Sequence, residues 1–450
     1  MGKLISFGEI NKKSLLLILS MSVSNVLNIY IYGFTYIECF FPMNIYRSLY
    51  EGIIGKDENK DFSNHRVFDP FFSYLGIIVL AFFFVKDKEQ NEIVKEKEKD
   101  DNGRTYSSFE IKLIYNKKKE YLKNIRGLIQ YILIVILWII EENLLLIYVD
   151  IFQDLDFWFF ELIFVSLIHS KIFQIKIFSH QKLGVAISVI VGSALKIYSI
   201  SITLFSGKEE VFYAKYKPLI SFALLYFVLI TLRSYVNTEI KTFLDIKYIS
   251  HRVLLISYGI TGAVLTFFTA IFTSSVSCPD VLVGFVCKKE HGGKYYYDEI
   301  SNYCESGKNV LVRIIVIILG MITYFSYMYF YTLVIKYYTP VHVIFSFPIH
   351  FFLEKTFLLI FSALFFIDHL FTKDGQWQKF LLDESGDIAS IIGFLIYLEM
   401  IELNFCNLNF NLKRKIIERG ENDYFKTFMP DAIPLQDKFD EEDDADDEAT

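Results

Sequence analysis

Apolar runs close to the roughly 20 residues that a helix needs to cross the ~30 Å hydrocarbon core of a bilayer recur ten times along this chain. They cover Ser14–Ile37, Phe71–Val85, Gly127–Val149, Phe157–Ile172, Leu183–Leu204, Leu219–Thr238, Val253–Ser274, Val310–Ile335, Val341–Ile367 and Ile388–Phe405, the second and fourth being short. Charged segments separate them, so the pattern predicts an all-α polytopic membrane protein with about ten transmembrane helices. Lys12 and Lys13 precede the first run and no small-residue cleavage site follows it, which reads as a retained signal anchor.

Lysine and arginine give the orientation, because cytoplasmic connections hold an excess of them. With the N-terminus inside, and with Lys171 and Arg233 counted at the cytoplasmic ends of their spans, 29 of the 45 basic residues fall on the cytoplasmic side. The opposite side has 13, and Lys196, Arg313 and Lys355 lie deeper. Both termini are therefore expected in the cytosol, in either the plasma membrane or an endomembrane. The long connection 86–126 supplies much of the excess; its charged part, Glu89–Asp101, reads as disordered and Phe109–Arg126 as a surface helix. The opening Met1-Gly2-Lys3-Leu4-Ile5-Ser6 also matches an acylation pattern, although an acyl chain adds little to ten spans.

Composition narrows the function. Hydrophobic residues make up 53% of the 450 and charged residues 22%, more apolar surface than a soluble fold buries, with enough charge for solvated loops. The 46 Phe and 30 Tyr accompany abundant Ile, Lys and Asn, as a compositionally biased genome produces, so they identify no ligand by themselves. The net charge of −7 belongs to the tail, since Asp440–Glu448 carries eight acids. No basic domain is present, and nucleic acid is not an expected partner. Cys39, Cys278, Cys287 and Cys304 lie in non-cytosolic loops on this topology and could form two disulfides of open connectivity; Cys406 ends the last span.

Ten spans divide into a first half, 1–205, and a second, 206–412, followed by an acidic cytosolic tail, 413–450, that reads as disordered. Five crossings invert the second half relative to the first, and inverted halves are a recurrent carrier architecture. The fourth and fifth runs read Phe157-Trp158-Phe159-Phe160-Glu161-Leu162-Ile163-Phe164-Val165-Ser166-Leu167-Ile168, then a basic turn ending His180-Gln181-Lys182-Leu183-Gly184, then an apolar helix with Gly192. In the second half Tyr338-Thr339-Pro340-Val341-His342-Val343-Ile344-Phe345-Ser346 opens the ninth run, and Ile396–Cys406 closes the tenth. These segments resemble the drug/metabolite transporter superfamily, including its nucleotide-sugar-transporter-like members. The resemblance implies two inverted five-helix halves that move a small polar metabolite by alternating access; the cysteine-bearing loop 275–309 and the acidic tail depart from that compact form.

Charges inside hydrocarbon cost about 2.5–3.5 kcal/mol each by the milder insertion scales, so each marks a candidate site. Lys355 sits mid-span with Glu354 beside it and Pro348 and His350 within two turns. It is a candidate contact for an anionic substrate or a counter-carboxylate. Glu141 and Glu142 follow Trp138; either is a candidate proton site or partner for Lys355. Tyr324, Tyr327 and Tyr331 recur at three and four residues, giving a face that reads equally as pathway lining and as packing. Glu399 and Glu402, three apart, would share a helix face and carry a coupling proton or cap basic loop residues. Gly184, Ser188 and Gly192 draw a small-residue stripe that reads as a packing face, with Lys196 snorkelling; Arg313 reads likewise. The histidines, His169, His180, His342 and His369 among them, are scattered, and no zinc motif, nucleophile elbow or phosphate loop appears. No cofactor and no catalytic set is expected. The reading is a secondary carrier with its pathway between the halves, lined by the third, fourth, eighth and ninth spans. Its rival is a non-transporting scaffold or receptor that recruits cytosolic proteins through the loop and tail, and a lipid-facing transferase is a third possibility.

Overall fold

The computed structural model of the chain describes residues 5–7, 12–35, 68–85, 124–151, 158–172, 178–205, 227–244, 247, 249–275, 310–364, 376–405, 408–412 and 415. Ten helices make up nearly all of them: α1 (Lys12–Thr35), α2 (Phe68–Phe84), α3 (Ile125–Ile151), α4 (Trp158–Ile172), α5 (Ser179–Phe205), α6 (227–244), α7 (His251–Ser275), α8 (Val310–Tyr337), α9 (Pro340–Leu364) and α10 (Gln376–Tyr397). The described residues are nearly all helical, and each helix overlaps one of the ten apolar runs.

Two of these helices depart from the bounds that hydropathy predicts. Helix α6 runs on to residue 244. Polar residues do not stop it because Thr238 and Thr242 bond their hydroxyls to the carbonyls of Ser234 and Thr238, and Lys241 donates to the Lys336 carbonyl of α8 at 2.6 Å. Arg233 thus lies within the helix, not at its end. Helix α10 begins at Gln376 and stops at Tyr397. Its end is a Schellman turn: the Met400 amide donates to Leu395 O and the Glu399 amide to Ile396 O, each at 3.0 Å, with Glu399 at φ 61° in the left-handed position that glycine usually takes. Glu399 and Glu402 consequently do not share the helix face that their spacing suggests.

Beyond that turn the chain extends as β2 (Ile401–Leu403) and pairs antiparallel with β1 (Ile5–Phe7), Ser6 opposite Glu402. This clasp sets residues 5–7 beside the segment after the last helix, so the two ends of the ten-helix set lie at one end of the bundle. His180, at the start of α5, is fully buried there and its Nε2 accepts the Leu403 amide at 3.2 Å. Burial pushes the His180 imidazole below its ordinary pKa despite the nearby Glu402 carboxylate. The unfolded chain takes up that proton first, so the stability contributed is intact above about pH 6.5 and falls as the pH drops through 6.5 toward the folded value. Amide exchange of residues 5–7 and 401–403, corrected for intrinsic rates, should speed up between pH 7 and pH 5, and His180→Gln should abolish that change.

Other contacts between helix ends fall into the same order. Arg252 at the start of α7 donates to Phe82 O near the end of α2 at 2.9 Å, and His251 bonds Thr332 near the end of α8. The ends of α2, α6, α8 and α10 therefore meet the starts of α5, α7 and α9, as in helices that alternate in direction. At the α8–α9 turn Thr339 precedes Pro340, the first residue of α9, and its hydroxyl bonds His342 Nδ1 at 2.7 Å.

Helices α5 and α10 approach backbone to backbone. A Cβ placed on Gly184 would stand 2.6 Å from Gly393 O, one on Gly393 would meet Gly184 O at the same distance, and Ser188 Oγ donates to Ser390 O at 3.0 Å. The small-residue stripe is a packing face, as its spacing predicts; the Lys196 and Arg313 side chains lie outside the described residues, as do His369 and the side chain of His169.

Apolar side chains are exposed on the outside, and polar ones are buried within a largely apolar core. Phe82, Phe83 and Phe84 on α2, Phe267 and Phe268 on α7, and Ile314, Ile315 and Ile318 on α8 are exposed. Ser22, Ser188, Ser234, Asn237, Thr238, Thr332, Asp387 and Ser390 are buried. Among the described residues two segments, His251–Phe268 and Ile317–Tyr337, are long and apolar enough to cross a membrane; Leu15–Asn28 and Phe71–Phe84 are shorter apolar stretches. Buried acids, Glu384 and Asp387, together with Asp383 make α10 more polar than those two.

A candidate site of buried charges between the helices

Helix α3 presents Tyr131, Ile134, Val135, Trp138 and Ile139 to the interior and Ile129, Ile132, Leu133 and Ile140 outward. Spacings of three and four continue the inner stripe to Glu141 and Glu142. Glu141 is buried, whereas Glu142 retains partial exposure although its stripe faces inward.

Arg233 of α6 answers two carboxylates at once. Its Nε lies 3.4 Å from Glu141 Oε1 and 3.3 Å from Oε1 of Glu161, in the first turn of α4. Its Nη1 donates to Glu161 Oε2 at 3.4 Å, and the guanidinium carbon stands 4.6 Å above the Phe347 ring of α9. A planar, multiply donating group is what such bridging needs. Glu142 is held differently: the Tyr258 hydroxyl of α7 donates to its Oε2, and the Tyr324 hydroxyl of α8 donates to its Oε1 at 3.1 Å. These two hydroxyls are themselves 2.9 Å apart.

Aromatic rings connect the two groups. Trp138 packs 4.2 Å from Tyr258 and stacks on Tyr331 at 5.9 Å, while Tyr74 of α2 meets Tyr258 edge-on at 5.5 Å. Tyr327 lies 5.8 Å from Tyr331, whose hydroxyl donates to Asn237 Oδ1.

A second polar group sits between α9 and α10. Lys355 Nζ donates to Asp387 Oδ2 at 2.8 Å, and His350 Nε2 lies 3.6 Å from Glu354 Oε2 one turn along α9. The structure therefore brings Glu141, Glu142, Tyr324, Tyr327 and Tyr331 into one cluster and places Lys355 and His350 in another. The pairing of Lys355 with Glu141 or Glu142 that mid-span positions suggest is not formed, because Arg233 holds Glu141 and Asp387 holds Lys355. Lys355→Ala leaves the fully buried Asp387 without its ammonium, at an expected cost of about 1–3 kcal/mol. Thermal melts should show that loss, and Lys355→Ala with Asp387→Ala should recover part of it.

Hydropathy misses Arg233, Glu161, Tyr258, Asn237 and Asp387. Arg233 falls near one end of its apolar run and Glu161 near the start of another, where charges are ordinarily interfacial; Asp387 precedes its run. A signal for Arg233 lies in its neighbours, since Ser234, Asn237 and Thr238 mark a polar inner face of α6. Among the described residues no group of three His, Cys, Asp or Glu is placed to hold a metal ion. Cys39, Cys278, Cys287, Cys304 and Cys406, most of the connection 86–126 and nearly all of the tail lie outside the described residues. The chain matches no known family model and no curated protein.

Proposed function

We propose that this chain is a ten-span integral membrane carrier that moves a small polar solute by alternating access between two inverted five-helix halves. The observation that carries the reading is the Arg233–Glu141–Glu161 and Glu142–Tyr258–Tyr324 cluster, drawn from α3 and α4 of one half and α6, α7 and α8 of the other. Tyr324 lies halfway along the 28-residue α8, so the polar groups are deep in the bundle. Charges at that depth are costly and mark solute or ion pathways in membrane proteins. The apolar exteriors of α2, α3, α7 and α8 support the bilayer as the surrounding medium, since water would not favour rows of exposed Phe and Ile.

Helix packing supports the two-half architecture. Exchanging each helix with the one five places on maps α2·α7, α4·α9 and α5·α10 onto themselves. It turns α2·α8 into α3·α7 and α9·α10 into α4·α5, all of which are in contact. The α1 contacts with α8 and α9 become α6 contacts with α3 and α4, which the Arg233 pairs supply. Five crossings per half make that two-fold relation an inversion across the membrane, and the resemblance to drug/metabolite transporters leads to the same arrangement.

Orientation follows from charge. The end of the bundle that carries the β1–β2 clasp also carries Lys182, Lys241, Lys247, Arg252 and Lys336, and the positive-inside rule places it in the cytosol.

Solute counterflow into proteoliposomes tests the reading. Purified protein preloaded with a mixture of amines, amino acids, sugar phosphates and nucleotide sugars should exchange at least one radiolabelled member faster than protein-free liposomes. Exchange no faster than that control across the mixture sinks the carrier reading.

A further inference from the structure

We infer that the central site takes a positively charged organic amine and that Glu142 is its docking carboxylate. The inference rests on the carrier reading and deepens it. Three carboxylates, Glu141, Glu142 and Glu161, converge where one guanidinium is available, and Arg233 spends its contacts on Glu141 and Glu161. Among the described residues no basic side chain stands within ion-pair distance of Glu142, which accepts hydroxyl donors alone. A carboxylate at that depth is completed best by a cation brought in from solution.

The surroundings of Glu142 fit such a guest. Tyr74, Trp138, Tyr258 and Tyr324 stand around it or around its hydroxyl partners, and aromatic faces beside a carboxylate are the chemistry that recognises ammonium groups. Glu142 and Tyr324 both keep part of their residue surface accessible, while Glu141, Trp138 and Tyr258 are buried.

A second observation is independent of the acids. Asn237 is completely buried, its Oδ1 accepts the Tyr331 hydroxyl, and its amide nitrogen has no hydrogen-bond partner. Whichever way that amide is turned, one of its two polar atoms is left over beside the cluster. With Oδ1 toward Tyr331, the leftover nitrogen donates and would be met by an acceptor such as a hydroxyl oxygen carried on the amine; turned over, the leftover oxygen would accept from the ammonium itself.

Trp138 makes the proposal measurable. The chain has three tryptophans, so Trp158→Phe with Trp377→Phe leaves Trp138 as the sole tryptophan, inside the site and excited selectively at the red edge. Titrating that variant with choline, tetramethylammonium and putrescine should quench or shift its emission, whereas glucose 6-phosphate and aspartate should not. Glu142→Gln, close in shape, should weaken amine binding at least tenfold. Tyr258→Phe, which removes one hydroxyl from Glu142, should change it by less and shows whether the site still folds. Binding of the anions but not the amines, or amine binding unchanged in Glu142→Gln, overturns the proposal.

Counterflow keeps the two readings apart. Amine binding lost in Glu142→Gln, with no exchange of any solute by the unmutated protein, upholds the docking site and overturns the carrier. Exchange of a sugar phosphate that is indifferent to Glu142→Gln upholds the carrier and overturns the docking site.

Discussion

Arg233→Ala should prevent accumulation of folded protein. The side chain is 11% exposed and bridges Glu141 and Glu161, each 3% exposed, so truncation takes the guanidinium away from two carboxylates in the interior. Removing one partner of a buried pair costs about 3–5 kcal/mol, because the survivor keeps its desolvation penalty and loses its attraction. Here two survivors share the loss, and their own repulsion adds to it. Size-exclusion profiles and thermal melts in detergent would show the variant aggregated or melting far below the unmutated protein. Arg233→Lys should rescue only in part, since a single ammonium cannot donate to Glu161 Oε2 while a second nitrogen stands between Glu141 and Glu161. Arg233→Ala combined with Glu141→Gln and Glu161→Gln removes the stranded charge and should recover much of the lost stability. If Arg233→Ala alone melts with the unmutated protein, the bridge has no energetic standing and the site argument fails with it.

That prediction also shows where the sequence stops being legible. Helix number, order and approximate bounds follow from apolar run length, because crossing or filling a bundle requires some 20 non-polar residues whatever their partners. The packing face of α5 was readable too, since Gly184, Ser188 and Gly192 at intervals of four let helices approach closely, whereas its partner α10 was not. Pairing of charges was not readable in the same way. Glu141 and Lys355 both look central along their runs, yet which acid meets which base depends on how helices rotate about their axes, a quantity that hydropathy leaves open. Arg233 was assigned to an interface because the apolar run ends near it; the Thr238, Lys241 and Thr242 bonds that let α6 continue are tertiary or i−4 contacts. Glu399 and Glu402 failed for a local reason, a left-handed turn built on a residue that is not glycine.

Gly393→Leu should separate α5 from α10. A Cβ at Gly393 would meet Ser188 Oγ at 2.1 Å and Gly184 O at 2.6 Å. The serine can turn away, but the carbonyl belongs to the backbone of α5 and can move only with its helix. Overpacking of this kind costs typically 1–3 kcal/mol and more when backbone must shift, so a loss of about 3 kcal/mol or more is expected. Gly192→Ala is the control, because its added carbon would approach Ser390 Oγ at 2.5 Å yet stand 3.5 Å from Gly386 O, leaving only a movable hydroxyl in the way. Gly192→Ala should therefore melt close to the unmutated protein, Gly393→Ala below it, and Gly393→Leu lowest. The damage should also travel along α10: Tyr397, 2.8 Å through its amide nitrogen from a Cβ on Gly184, leads directly into the Schellman turn and β2. Amide exchange at residues 401–403 should accelerate in Gly393→Leu at neutral pH, when His180 is uncharged. Equal melting of the three variants would mean that α5 and α10 do not touch through Gly184 and Gly393, and the pairing of α5 with α10 at the clasped end would have to be redrawn.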